Sequence, residues 1–176
     1  MNETETFYKL IKSDIGWIGV AWSKNGIVKI LLPEKNKFNT KNLLCSLFLN
    51  PKKMITPPTW MPKLETLLEN FFQGIKTDFG QIPLDLRVTP FQEKVYNKLK
   101  KVPYGKLITY KDLAVKIGST HSSRAIGNAL GKNPTPLITP CHRVISSAKN
   151  SLGGFSAFGG VKTKKRLIDL ENSKDC

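Results

Sequence analysis

An α+β fold in two parts is what the sequence predicts: a small N-terminal α/β support domain over residues 1–85, then a mainly helical C-terminal domain over residues 86–176. Three observations carry this. Strand-like runs flanking an Asn-Gly pair occur in the first part. The second reads as helix, turn, helix, loop, helix, and its middle pair is spaced as a helix-turn-helix. Charge divides at the same place: residues 1–85 hold 11 Lys+Arg and 8 Asp+Glu, or +3, whereas residues 86–176 hold 17 and 5, or +12. A net +15 in 176 residues favours a polyanionic partner, which would meet the C-terminal half. With 40% hydrophobic and 23% charged residues, disorder, collagen and a dense disulfide scaffold are excluded.

In the first part, residues 16–22 and 27–32 are strand-like runs about Asn25-Gly26, a strong hairpin signal. Residues 51–62, which contain Pro57-Pro58, read as a loop. Leu64, Leu67, Leu68, Phe71 and Phe72 then recur at helical spacing over residues 63–74, and Gly74 closes the helix. The Trp and Phe side chains alternate with polar residues as core faces do, which favours packing over a role as base-stacking platforms. Gly80-Gln81-Ile82-Pro83 marks the break between the parts, and Pro90 stands where a helix can begin at Phe91.

In the second part, Phe91, Val95 and Leu99 share one face of a helix over residues 91–101, and residues 102–106 form a turn. Thr109, with Asp112 three residues on, opens a short helix that turns Leu113, Ala114 and Ile117 inward and ends at Gly118. The next helix runs from about His121-Ser122-Ser123 to Leu130, with Gly131 placed for a left-handed C-cap. Ala125, Gly127 and Ala129 leave its surface bare, and the glycine costs roughly 1 kcal/mol relative to alanine. Such a face suits either a closely approaching partner or a tight helix contact in the core. Arg124 likewise either caps a phosphate, pairs with an acidic side chain or reaches into a duplex.

Cys45, Cys141 and Cys176 are an odd number without paired spacing, which points to a reducing compartment and at least one free thiol. Pro134, Pro136 and Pro140 are expected to hold an extended, rigid segment that delivers Cys141 beside His142. A thiol needs a base to become a nucleophilic thiolate, and imidazole titrates in the right range. The same dipeptide also fits a buried small hydrophobe beside a satisfied core histidine. Adjacent side chains on regular structure point apart, so His142 would act through a bridging water or a backbone turn. No CxxC or HxxxH spacing supports a metal site. No run of about 18 apolar residues exists, and Met1-Asn2-Glu3-Thr4-Glu5 is acidic where a signal peptide is basic. A soluble, intracellular monomer without membrane attachment is the expectation.

Pro140-Cys141-His142-Arg143-Val144 resembles the active-site signature of the methylated-DNA–protein-cysteine methyltransferases, the O6-alkylguanine repair proteins. Ahead of it, Val102-Pro103-Tyr104-Gly105-Lys106 through Thr109-Tyr110, then Arg124-Ala125-Ile126-Gly127-Asn128-Ala129 and Asn133-Pro134, follow the family's order and spacing. Behind it, Gly153-Gly154-Phe155-Ser156 and Lys164 through Leu167-Ile168 to Glu171 resemble its closing loop and last helix. The resemblance spans nearly all of residues 86–176. The N-terminal part matches in architecture alone, where the family carries an α/β, ribonuclease H-like domain.

The resemblance implies irreversible, single-turnover transfer of the alkyl group from O6-alkylguanine in double-stranded DNA to a cysteine, after base flipping and without a cofactor or metal. Cys141 would be the acceptor, His142 its base through a water, and Glu171 the group that orients His142. Asn133 would be the hinge between recognition helix and active-site segment. Tyr110 would help rotate the target nucleotide at its 3′ phosphate, and Arg124 would fill the gap left in the stack. Ser156 and the loop backbone would bond the guanine oxygen, the Val144 carbonyl would accept from the exocyclic amine, and Phe155 would wall the pocket. The helix bearing Ala125, Gly127, Asn128 and Ala129 would lie in the minor groove. The protein would work in the cytoplasm, or the nucleus of a eukaryote, since residues 162–166 (KTKKR) read as a basic helix face or a localisation signal.

Phe155 stands where many members have Tyr, so a phenol contact is lost. Residues 157–161 (AFGGV) look longer than the corresponding loop of some members, which bears on the pocket's lid and on bulky adducts. Lys149-Asn150 reads as solvated surface. Three other classes are separable. A lesion sensor would bind alkylated DNA but lack the acceptor cysteine; a cysteine hydrolase would turn over; a DNA-binding module with a structural cysteine would bind without accepting methyl.

Overall fold

The structure is a computed structural model and describes residues 5–53, 56–149 and 151–173. The features expected of residues 1–4, of Asn150 and of Cys176 lie outside the described residues. The fold is mixed α/β and divides into two units. The first takes residues up to Gln73 together with Thr77–Arg87, and the second takes Gly74–Lys76 together with residues from Val88 on.

In the first unit, β1 (Phe7–Ser13), β2 (Gly16–Ser23) and β3 (Gly26–Glu34) form an antiparallel meander, and β4 (Lys52–Lys53) adds to β1 in parallel. The order is β3-β2-β1-β4. The hairpin expected at Asn25-Gly26 joins β2 to β3. Gly26 has φ +152°, and a Cβ there would lie 2.6 Å from the Pro83 carbonyl carbon, so only glycine lets the 80–85 loop close on β3. That closure is made by Ile27 N donating to Pro83 O (2.9 Å) and Asp85 N to Ile27 O (2.8 Å). Central β2 is buried from Ile18 to Ser23. Tyr8 and Ala21 pack against Leu44 of α1 (Lys37–Ser46), while Trp22 meets Trp60 edge-on at 6.0 Å. Trp22, Phe71, Phe72 and Phe79 are core, as the alternation predicted, whereas Phe38 is exposed.

Four details depart from expectation. Strand β1 and helix α1 have no counterpart among the elements read from the sequence. The 51–62 loop contains β4 and the start of α2 (Met61–Phe72), because Pro62 fits the first turn of a helix, where its missing N–H costs nothing. As expected, Gly74, φ +73°, ends that helix in the left-handed conformation. Gly131 instead lies inside its helix: the chain leaves through Lys132 at φ −100°, with Lys132 N bonding Ala129 O, and no left-handed cap forms.

In the second unit, α3 (Pro90–Leu99) starts from a capping box between Thr89 and Gln92. It buries Val95, Tyr96 and Leu99, and Tyr96 Oη donates to Ala129 O (2.7 Å) across to α5 (Ser123–Gly131). Strand β5 (Ile108–Thr109) leads into α4 (Tyr110–Lys116), whose N-cap Thr109 accepts from Asp112 N (3.0 Å) as anticipated. Gly118, φ +71°, ends the turn after α4. Cys141–Arg143 form one 3₁₀ turn, β6 (Val144–Ile145) pairs with β5 in parallel, and α6 (Gly160–Asn172) closes the chain. Gly160 and Val161 thus belong to α6, which shortens the loop read over residues 157–161. No helix of the described residues is long and apolar enough to cross a membrane.

Candidate active site

The proline-rich segment before Cys141 is coiled, not extended. Thr139 N bonds Thr135 O (2.8 Å), Leu137 takes φ +75°, and residues 135–144 are all buried. Prolines fix their own φ but leave the residues between them free to turn, and here Asn133 supplies the turn. Its Oδ1 accepts from Thr135 N (3.1 Å), and its Nδ2 donates to Thr139 O (2.7 Å) and to Cys141 Sγ (3.1 Å). One side chain therefore holds both ends of the segment and touches the sulfur.

The 3₁₀ turn then presents three consecutive side chains inward. His142 Nε2 lies 2.8 Å from Glu171 Oε1. Arg143 grips the same carboxylate, Nε to Oε2 at 2.9 Å and Nη2 to Oε1 at 2.8 Å, and donates through Nη1 to Val102 O (2.6 Å). Gly105 N adds a bond to Glu171 Oε2 (2.9 Å). Burial pushes the Glu171 carboxyl up, but the bonds from His142 and Arg143 outweigh it and bring it down to about 2, so it stays ionised. For His142 burial dominates and holds the imidazole below its ordinary value, against the pull of Glu171. Burial raises the Cys141 thiol, opposed by the Asn133 bond and by the charge of Lys164.

Cys141 lines a cavity of about 430 Å³ with Tyr110, Gly127, Leu130, Gly131, Gly154, Phe155 and Ser156. The loop wall is held by Ser156 Oγ donating to Gly131 O (2.8 Å), and Gly153, φ +72°, has no room for a Cβ, which would sit 2.9 Å from the Tyr110 ring. Val144 O accepts from Lys164 Nζ (2.6 Å), which also reaches Gly154 O (3.2 Å). On α5, Arg124, Ala125 and Asn128 are exposed, Gly127 is half-buried, and Ala129 is buried with Ile126 and Leu130. A Cβ on Gly127 would meet only Tyr110, at 3.9 Å, so internal packing does not demand the glycine.

Every candidate site residue except the exposed α5 face and buried Ala129 thus lies on the pocket wall or in the network behind Cys141. Sequence reasoning missed Arg143 and Lys164. Lys164 shares its helical spacing with Leu167, Ile168 and Glu171, all buried, and that position on an inward stripe was the available signal.

Residues 90–173 match the family described as 6-O-methylguanine DNA methyltransferase, DNA binding domain. A methylated-DNA–protein-cysteine methyltransferase of Metallosphaera sedula is 48% identical over 106 residues, 60% of this chain and 64% of that protein. One from Saccharolobus islandicus is 34% identical over 167 residues, 95% of this chain and 96% of that protein. Among solved structures, the Mycobacterium tuberculosis O6-methylguanine methyltransferase superposes with TM-score 0.76 at 30% identity, covering 97% of this chain and 95% of that one. A Mycobacterium tuberculosis OGT in complex with DNA gives 0.77 at 31%, covering 95% and 93%. With a pocket-lining thiol backed by a histidine–glutamate pair, and an alignment running nearly end to end, this chain belongs to the methylated-DNA–protein-cysteine methyltransferase family.

Proposed function

We propose that the protein repairs O6-alkylguanine in double-stranded DNA by moving the alkyl group irreversibly to Cys141, one group per molecule, after flipping the damaged base into the pocket described above. The observation that carries this is Cys141 Sγ in the pocket wall, bonded to Asn133 and next in the chain to a histidine held by a buried carboxylate. Glu171 occupies Nε2 of His142, so Nδ1 is the nitrogen that would take the thiol proton through a water. The thiolate attacks the alkyl carbon; the sulfur–carbon bond forms as the carbon–O6 bond breaks. The guanine oxygen keeps the electron pair, and one proton neutralises the departing base. The thioether has no route to hydrolysis, and no cofactor or metal enters.

Tyr110 turns the nucleotide at its 3′ phosphate, Ser156 with the loop backbone bonds the guanine oxygen, and Phe155 walls the ring. Val144 O, with one lone pair engaged by Lys164, offers the other to the exocyclic amine. The α4–α5 pair acts as a helix-turn-helix whose bare α5 face lies in the minor groove, with Arg124 filling the stack. Such a face reads backbone and groove shape, as a protein meeting lesions in any sequence must. The 86–176 domain does this work on a support domain, residues 1–85, whose strand order and parallel β1–β4 pairing favour a ribonuclease H-like classification. The protein acts as a monomer in the cytoplasm, or the nucleus of a eukaryote.

The test is intact mass and a peptide map after incubation with a duplex carrying one O6-methylguanine. One methyl on the Cys141 peptide, saturating at one per protein, is expected, with Cys141→Ala binding the duplex but gaining nothing. Bound duplex with unmodified Cys141 would overturn the repair assignment and favour a lesion sensor.

A further inference from the structure

The 11 basic residues of positions 1–85 are all lysine, and four of them, Lys9, Lys37, Lys41 and Lys53, line a second cavity of about 430 Å³ within the first unit. Three elements bring them together. Lys9 comes from β1, Lys53 from β4 in register with Tyr8, and Lys37 and Lys41 lie one turn apart on α1. Local folding does not call for this arrangement. Lys37 is the first residue of α1, at the positive end of the helix dipole, and no acidic residue stands in that first turn. Lys41, four residues on, adds a like-charge pair along the helix, which disfavours the helix further.

The compensation inside the protein is partial. Glu65 pairs with Lys9 at 2.6 Å, and the Trp17 ring lies 4.5 Å from Lys37 Nζ. Among the described residues no carboxylate is within ion-pair distance of Lys37, Lys41 or Lys53. Four lysines less Glu65 leave the rim with 4 − 1 = +3. Behind the rim the cavity has a wall that a solvated lysine face lacks, made by Tyr8, Leu10 and Trp22. Tyr8 is 8% exposed, and its hydroxyl makes no hydrogen bond with any described residue. A phenol so enclosed ordinarily has a partner, and the cavity is where a partner can enter.

We propose that this cavity binds a nucleoside di- or triphosphate, with its phosphates on the lysine rim and its base and sugar against the wall at Tyr8, Leu10 and Trp22. The volume suits a small organic molecule. Lysine holds phosphate as a point charge, and residues 1–85 contain none of the arginine forks that favour carboxylates. One phosphate group, at about −1.5 to −2, leaves the rim undercompensated, whereas two or three linked phosphates match it. The Tyr8 hydroxyl supplies a neutral hydrogen bond at the junction between rim and wall. This site lies in the first unit, whereas Cys141 lies in the second, and it stands whether or not the repair assignment does.

The three tryptophans, Trp17, Trp22 and Trp60, all belong to the first unit, so their emission reports on this cavity and not on anions held by the basic second unit. The experiment titrates full-length protein with adenosine triphosphate, exciting tryptophan at the red edge where the nucleotide does not absorb. A saturable change with one site per protein is expected. Adenosine and inorganic triphosphate each keep only part of the contacts and should bind at least about tenfold more weakly. In the double variant Lys37→Gln/Lys41→Gln the affinity should fall about tenfold or more, and in Tyr8→Phe about threefold, with methyl uptake at Cys141 unchanged in both. An unresponsive emission, a response that survives the double variant, or inorganic triphosphate binding as tightly as the nucleotide would overturn the proposal. Should the double variant fail to fold, Lys53→Gln, exposed on β4, carries the same test with the same outcomes.

Discussion

Glu171 receives an imidazole, a guanidinium and a backbone amide on one carboxylate, and its protonation is therefore linked to stability. The carboxyl titrates near 4.5 when unfolded and at about 2 when folded. A depressed carboxylate stabilises the fold above its unfolded value, so roughly 3 kcal/mol present at neutral pH is lost as the pH falls from about 4.5 to about 2. Equilibrium unfolding across that window should show the loss in wild type and not in Glu171→Gln. The variant starts lower at pH 7, by about 3–5 kcal/mol, because the Arg143 charge is left buried without its partner. Asn133→Ala removes three hydrogen bonds at once and should cost about 1–3 kcal/mol in unfolding and slow methyl uptake at Cys141, measured by intact mass. At this scale Cys141, His142, Asn133 and Glu171 are legible in the amino-acid sequence, because a motif carries them in order. The roles of Arg143 and Lys164 are not, since a charged residue looks like solvated surface until its neighbours show that it is enclosed.

Helix α5 is the element where stability and contact pull apart. Gly127→Ala fits the space available and should raise stability by about 1 kcal/mol in thermal unfolding. The added methyl should weaken binding to duplex DNA in a titration if α5 lies in the groove; unchanged binding would remove α5 from the interface. Gly153→Ala should do the opposite within the pocket, since its Cβ meets the Tyr110 ring and its φ is positive; loss of both stability and methyl transfer is expected. Elements with one apolar face or a turn signature are legible: the β2–β3 hairpin, α2, and Thr109 at the start of α4. Helix α1 is not, because it exposes Phe38 and Leu43 (67% and 48%) while burying Thr40, which blurs any stripe. Gly131 misleads because a glycine after the last apolar residue permits a left-handed cap without requiring one.

Across the whole molecule, the +3 and +12 halves predict that duplex affinity is dominated by phosphate contacts. With about six such contacts, binding should fall about a thousandfold between 50 and 200 mM salt; a flat response would refute a backbone-reading mode. The charge division and the succession of sheet then helices are readable from composition, but the coiling of residues 133–140 is not, because it depends on Asn133 meeting groups on both sides of itself. That coil joins the exposed face of α5 to the sulfur through about ten residues, pinned at each end by one amide side chain, and β6 then anchors it to β5 beside α4. The assembly works as a depth gauge. Whatever rests against α5 finds the thiol at a set distance behind the surface; under the repair proposal, the span to be crossed is then a property of the protein and the crossing falls to the base.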